Sequence, residues 1–204
     1  MRIGLFGGSF NPPHLGHLAL ARTVLDLNLA DRVCLVPAAT PPHKRISGGV
    51  DAESRLAMAR LMASEDKRLN ADDIELERAG PSYTIDTLRQ LIAQHPDATY
   101  RLIIGSDLAK TFATWREYRE ILRLAPPLVA ERPDDMFRGE GDFAGMPPED
   151  AAVLKNGRFT MDPVDISSTK VRGLVAEGAD DAVLLHYITA PVLAFIRERH
   201  LYLE

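Results

Sequence analysis

Apolar residues run along this chain in two alternating rhythms. Residues 2–6 (Arg-Ile-Gly-Leu-Phe) form a short apolar run that stops at Gly7-Gly8, and residues 16–27 then carry Leu, Ala and Val at helical spacing. That is strand, glycine turn, helix. A second run, residues 32–36, ends at Pro37 and gives way to the Pro- and His-bearing segment 38–49, which predicts a strand followed by a surface loop. Residues 51–63 hold good helix formers behind an acidic start. Residues 84–93 begin at a Thr84 cap with Asp86 in the first turn. Residues 100–104 read as a buried strand closed by Gly105-Ser106-Asp107, and 128–130 as a weaker one ending near Pro133.

Strands that alternate with helices predict an α/β fold, a parallel sheet with helices on both faces, whose ligands bind beyond the carboxyl ends of the strands. With 204 residues, 46% of them hydrophobic, the chain suits one domain over 1–204. A polar turn from Asp165 leads into a short C-terminal helical part, about 167–204. The acidic segment 134–150, broken by Gly and Pro, reads as an exposed loop or insertion.

Charge and cysteine narrow the function. A net charge of −5 provides no broad cationic field, so a nucleic-acid backbone is not an expected partner. No basic stretch followed by a long apolar segment marks export or a membrane span, so the expected location is cytoplasmic and no membrane partner is expected. Cys34 is the single cysteine; it excludes an intrachain disulfide or a cysteine zinc cluster, and its apolar neighbours assign it to packing. Oligomeric state is not legible, and a homo-oligomer stays open.

Chemistry concentrates at two places. Gly7-Gly8-Ser9-Phe10-Asn11-Pro12-Pro13-His14-Leu15-Gly16-His17 lies between the first strand and the first helix. Small residues there admit a phosphate to the backbone, the helix start offers N–H groups and a positive dipole end, and two imidazoles three residues apart can bracket a phosphate chain. The bland alternative is a turn with incidental histidines. Zinc fits poorly, because no further His or Cys stands at ligand spacing nearby. Near the other end, Asp165-Ile166-Ser167-Ser168-Thr169-Lys170-Val171-Arg172 pairs capping hydroxyls with Lys170 and Arg172, a second anion-binding helix start. Alone it could as well be an ordinary capped helix with solvated basic residues; beside the first segment it reads as a second phosphate-binding helix start.

These segments carry a resemblance. His14-Leu15-Gly16-His17 and Ile166 to Arg172 are similar to the (H/T)xGH and ISSTxxR signatures of a nucleotidyltransferase superfamily with a Rossmann-like fold. Within it the chain resembles the bacterial nicotinate-nucleotide adenylyltransferases. Supporting segments are Pro41-Pro42-His43-Lys44, Pro81 to Leu88, Gly105-Ser106-Asp107, Thr114-Trp115 and Glu131-Arg132-Pro133. The family often has glycine after Arg-Pro, where this chain has Asp134-Asp135. The resemblance implies transfer of the adenylyl group of ATP to nicotinate mononucleotide. It implies His14, His17, Lys44 and Arg172 as catalytic residues and Gly7, Gly8, Ser9, Phe10, Gly16, Ile166, Ser167, Ser168 and Thr169 on the ATP side. Asn11, Lys44, Ser82, Tyr83, Thr84, Asp107 and Trp115 are implied on the mononucleotide side, with Trp115 stacking on the pyridine ring and the Thr84 helix start binding its carboxylate. Magnesium is implied through phosphate oxygens and waters, with no protein metal ligand. Each of these residues also has a commoner job: Trp115 in packing, Lys44 on a solvated loop, Asp107 at a helix cap. His43, His95, His186 and His200 carry no functional signal. Rival readings are nicotinamide mononucleotide or pantetheine phosphate as acceptor, or a non-catalytic nucleotide-binding module.

Overall fold

The computed structural model describes residues 1–41, 48–131, 143, 145–162 and 164–203. Among these, six strands form one sheet: β1 (Arg2–Gly8), β2 (Arg32–Pro37), β3 (Leu69–Ala71), β4 (Thr99–Gly105), β5 (Leu128–Glu131) and β6 (Arg158–Thr160). Their order is β3-β2-β1-β4-β5-β6 and every pairing is parallel. The helices are α1 (Leu15–Asp26), α2 (Ala52–Ala63), α3 (Thr84–Gln94), α4 (Ser106–Lys110), α5 (Tyr118–Leu124), α6 (Pro148–Asn156), α7 (Ser168–Ala176), α8 (Asp181–Leu184) and α9 (Ala190–Glu198). The expected α/β architecture, a Rossmann-like parallel sheet with helices on both faces, is the one observed.

Side-chain alternation sorts the sheet between two cores. Phe6, Val33 and Leu35 join one core with Leu18, Ala21 and Val24 of α1, Met58 and Met62 of α2, Val171 and Val175 of α7, and Val192 and Ile196 of α9. Leu5, Cys34 and Val36 face the other way, into a core with Ile85, Leu88 and Leu91 of α3, Ile121 of α5 and Leu154 of α6. Such two-sided burial is why strands of a parallel sheet read as unbroken apolar runs. The last helices therefore share their core with α1 and α2.

The ladder geometry opens the site. β1 pairs with β2 all the way to Gly8 and Pro37, but with β4 only as far as Leu5 and Leu102. β4 meanwhile continues beside β5 from Ile103 to Gly105. Chain connections leave β1 on one side and β4 on the other, so this is the point where the winding reverses and where open α/β sheets hold their ligands.

The structure corrects several boundaries. Gly7 and Gly8 belong to β1 and not to the turn that follows it. The cap of α3 is Tyr83, which makes no side-chain cap hydrogen bond, so Thr84 is the first helical residue and not the cap. β3 and β6 were not foreseen because three residues are too few to display a period. α5 was missed as well, and α6 starts inside the segment read as loop, at Pro148. The remainder of that segment, apart from residues 143 and 145–147, lies outside the described residues.

β6 enters the sheet through Gly157, whose carbonyl accepts from the Val129 N–H at 2.9 Å. A Cβ at Gly157 would run into the Pro127 carbonyl oxygen, backbone that cannot swing aside. Gly157→Ala is therefore expected to cost roughly 1–3 kcal/mol by forced backbone displacement, measured by urea unfolding. Wild-type stability in that variant would contradict the tight approach.

Candidate active site

The first helix begins at an imidazole. His14 is extended (φ −142°, ψ 170°) as the N-cap of α1, and its carbonyl accepts from His17 N–H (2.9 Å) and Leu18 N–H (3.2 Å). In return Nδ1 of His17 accepts the His14 backbone N–H at 3.2 Å. An accepting Nδ1 places the proton of neutral His17 on Nε2, a donor for a phosphate oxygen. The two rings lie 3.7 Å apart at 30°, with Phe10 5.0 Å from His17 on another side. Phe10 reaches this place with φ at +45°, a left-handed conformation that a bulky side chain takes only under constraint. Gly16 leaves close room for the pair, since a Cβ there would stand 3.0 Å from His14 Nδ1 and press on the ring.

Burial keeps both rings neutral. It lowers the His14 pKa from 6.5 to about 4 and holds His17 well below 6.5, with a further push downward from the neighbouring His14. Nδ1 of His14 is buried without a hydrogen-bond partner among the described residues.

The C-terminal segment is folded directly onto this helix start. Ser167 caps α7 by accepting from Lys170 N–H at 3.2 Å. Ser168 Oγ donates to the Pro12 carbonyl at 2.8 Å, and Arg172 donates to the Asn11 carbonyl at 2.8 Å and to Thr169 Oγ1 at 3.2 Å. The Leu15 N–H is taken by Tyr187 O at 2.7 Å. Together these parts enclose a cleft of about 410 Å³ that also reaches Gly105, Ser106, Asp107, Glu131 and Asp162. Lys170 stands apart from it, its ammonium 5.0 Å over the Tyr187 ring and 3.9 Å from Asp165.

A second hollow, of about 100 Å³, occupies the gap where β1 and β4 part: Gly7, Gly8, Ile103 and Ile104 form its sheet side, and Ser82, Thr84, Leu108 and Trp115 its far side. The structure thus gathers Ser82, Thr84 and Trp115 as expected. It places Gly7 and Gly8 here and not on the larger cleft, where they were expected. Conversely, Asn11 and Asp107, expected beside Trp115, line the larger cleft. Tyr83 lines neither; its ring is half-buried under the Arg116 guanidinium at 4.8 Å. Ser168, expected as a ligand residue, spends its hydroxyl proton on Pro12. Lys44 lies outside the described residues.

Two groups behind the clefts were not foreseen. Arg55 of α2 is 1% exposed, and its guanidinium donates to Ser9 O (2.9 Å), Ala38 O (2.7 Å) and Ala39 O (3.5 Å). One buried cation therefore ties the loop after β1 to the loop after β2, and burial pulls its pKa down. The sequence did contain a signal, a charge on the apolar stripe of α2 with Met58, Ala59 and Met62. Glu75 is the other. It accepts Thr87 Oγ1–H at 2.7 Å and lines the second hollow, and burial raises its pKa. Ser82, bonded to the same carboxyl, accepts from the Ala39 and Thr40 N–H groups at 3.1 and 3.2 Å. Nothing in the local pattern around Glu75 distinguishes it.

The chain is similar to known proteins over most of its length. Residues 5–174 match the cytidylyltransferase-like family model. The chain is 36% identical over 217 residues to a probable nicotinate-nucleotide adenylyltransferase from Geobacter sp. (strain M21), covering 100% of this chain and 99% of the relative. It is 38% identical over 202 residues to one from Halalkalibacterium halodurans, covering 98% and 91%. Among solved structures, Plasmodium falciparum nicotinic acid mononucleotide adenylyltransferase complexed with NaAD superposes with a TM-score of 0.74 at 20% identity, covering 98% of this chain and 97% of that one.

The depressed His14 pKa makes stability depend on pH. Unfolded His14 binds a proton below about pH 6.5, whereas the folded group waits until about pH 4; between those values the unfolded state holds more protons and stability falls as pH falls. Acidification through that window is expected to cost on the order of 3 kcal/mol from this group at full shift. His14→Gln should flatten the fall, read by urea unfolding at about pH 7 and about pH 5. Identical pH slopes in both proteins would refute the neutral, buried His14.

Proposed function

The chain belongs to the cytidylyltransferase-like family, among the nicotinate-nucleotide adenylyltransferases, and on that premise we propose that its two clefts bind ATP and nicotinate mononucleotide for adenylyl transfer, giving deamido-NAD and pyrophosphate. One observation carries the reading of the site. The stacked His14–His17 pair and the α7 start line one cleft, and a hollow lined by Gly7, Gly8 and Trp115 lies at the switch point of the sheet.

ATP occupies the larger cleft, with its phosphates at the start of α1 and its alpha-phosphorus at the boundary with the hollow. Ser9, Phe10, Gly16, Ile166, Ser167 and Thr169 shape that side, and Arg172 neutralises phosphate charge. The mononucleotide lies across Gly7 and Gly8, its ring against Trp115. The first-turn N–H groups of α3, which a helix leaves without internal partners, face its carboxylate. Lys44 holds the mononucleotide phosphate as a point charge. That phosphate oxygen attacks the alpha-phosphorus in line, a P–O bond forms, and the bond to pyrophosphate breaks. No protein nucleophile is needed; alignment and charge neutralisation supply the rate. His17 contributes a preorganised Nε2–H donor. Its neutral state means that it adds no proton to the ground state of the bound substrate.

A divalent ion suits this chemistry, magnesium above all. Such an ion would be carried on phosphate oxygens and waters; among the described residues no three His, Cys, Asp or Glu side chains come together. No helix among the described residues is long and apolar enough to cross a membrane, and we place the reaction in the cytoplasm.

Pyrophosphate release by the purified protein with ATP and magnesium is expected with nicotinate mononucleotide, at a kcat/KM well above that for nicotinamide mononucleotide or pantetheine phosphate. His17→Ala should lower kcat by about 10²–10³-fold, as loss of one preorganised donor does, while ATP affinity changes far less. Preference for another acceptor would overturn the substrate. Absence of release with all three would leave a binding module.

A further inference from the structure

α2 turns Leu56, Met58, Ala59 and Met62 into the core, each 2% exposed or less. Among them stands the Arg55 guanidinium, itself 1% exposed. Burying a cation is far more costly than burying a methionine of similar volume, so packing by itself does not account for Arg55. A single nitrogen, Nη1, donates to Ser9 O at 2.9 Å and to Ala38 O at 2.7 Å. One of these carbonyls follows β1 and the other follows β2. Nε is left without a hydrogen-bond partner among the described residues, so the group forgoes a bond of its own in the position that reaches both loops.

The two carbonyls belong to different clefts. Ser9 lines the larger cleft with His14, His17 and Arg172, whereas Ala38 lines the hollow with Gly8 and Trp115. On the first side, the Ser9 carbonyl lies in the peptide that leads into Phe10, and turning that peptide would turn Phe10 φ. Holding the carbonyl therefore holds Phe10 left-handed at +45°, with its ring 5.0 Å from His17. On the second side, Ser82 secures the residues that follow Ala38. Its Oγ accepts from the Ala39 and Thr40 N–H groups, and its N–H donates to Thr40 O at 2.8 Å. Each wall is thus held by contacts of its own, and Arg55 joins one wall to the other.

We propose that Arg55 is a positioning residue for adenylyl transfer: by holding Ser9 O and Ala38 O on one nitrogen, it sets the span between the larger cleft and the hollow. That span governs how the acceptor phosphate oxygen approaches the alpha-phosphorus. The proposal rests on the adenylyl-transfer reading. In-line attack tolerates little misalignment, and an error of about 1 Å between reacting atoms costs on the order of 10²-fold in rate. Arg55 lines neither cleft. Its effect is therefore confined to ligands and steps that engage both clefts at once, and each substrate alone binds without it.

Arg55→Lys and Arg55→Met test this by pyrophosphate release and by calorimetric affinities for ATP, nicotinate mononucleotide and deamido-NAD, the product that spans both clefts. A thermal unfolding midpoint is recorded for each variant. Arg55→Lys keeps the charge without the guanidinium fork. Arg55→Met keeps the volume and completes the apolar stripe of α2, the kind of replacement that buried ions often tolerate. In both, kcat is expected to fall about 10²-fold and deamido-NAD affinity by about tenfold or more. The affinities of ATP and of the mononucleotide, each alone, should stay within about threefold of wild type. A purely structural role would weaken all three ligands together with the midpoint, and that result would overturn the proposal, as would wild-type kcat in Arg55→Met. A wild-type protein that releases no pyrophosphate would instead refute the parent reading.

Discussion

β1 and β4 share hydrogen bonds for four residues and then part, and the functional architecture hangs on that parting. Up to Leu5 and Leu102 the two strands are ordinary parallel neighbours. Beyond them, β1 stays with β2 and β4 stays with β5. The connections on either side leave in opposite directions along the sheet, so the carboxyl ends of both strands are open to a ligand. The hollow with Trp115 lies in this gap, and the larger cleft lies beside it. Every element named in the site approaches from one side or the other of that single break.

The second organising force is electrostatic, and it relies on few charges. A protein with a net charge of −5 must receive polyanionic substrates without a general cationic surface. In the proposed site a helix start, two neutral imidazoles and a small number of guanidinium groups placed by other contacts take that part. Arg55 is buried behind the loops and donates to backbone carbonyls, so it fixes the Ser9 and Ala38 backbones. Arg172 stands at the cleft while bonded to Asn11 O. Desolvation weakens water's competition for each of these groups, which makes a cradle of few charges effective.

The same economy appears in how remote segments are fastened. Ser168 to Pro12, Arg172 and Tyr202 to Asn11, and Tyr187 to Leu15 are four hydrogen bonds that bind the C-terminal region to the first loop. Each joins a side chain or carbonyl more than 150 residues away to the start of α1. Glu75, Thr87 and Ser82 do the corresponding work on the other side, where they join the start of α3 to residues 39–40. The site is thus rigid at its rims as well as at its sheet edge.

Much of this was legible in the chain itself. Apolar runs over 2–6, 32–36 and 100–104 announced the central strands, since burial on both faces leaves no polar position to confuse the pattern. The His14–His17 spacing and the Ser167–Arg172 segment pointed to one place, where the structure brings them together, because helix starts and three-residue periodicity are local properties. Strands of three residues, the helix start at Pro148 and the α3 cap at Tyr83 were not readable, as their existence depends on neighbours that no window includes. Nor could the sequence assign Asn11 and Asp107 to the larger cleft, Gly7 and Gly8 to the hollow, or Ser168 to Pro12. The sequence by itself determined the fold class and marked the two helix starts proposed to bind anions, because periodicity and capping act over a few residues. Only the tertiary structure decided which side of the β1–β4 gap each residue serves and that Arg55, Glu75 and Tyr202 stand behind it, because those placements arise from contacts between segments far apart in the chain.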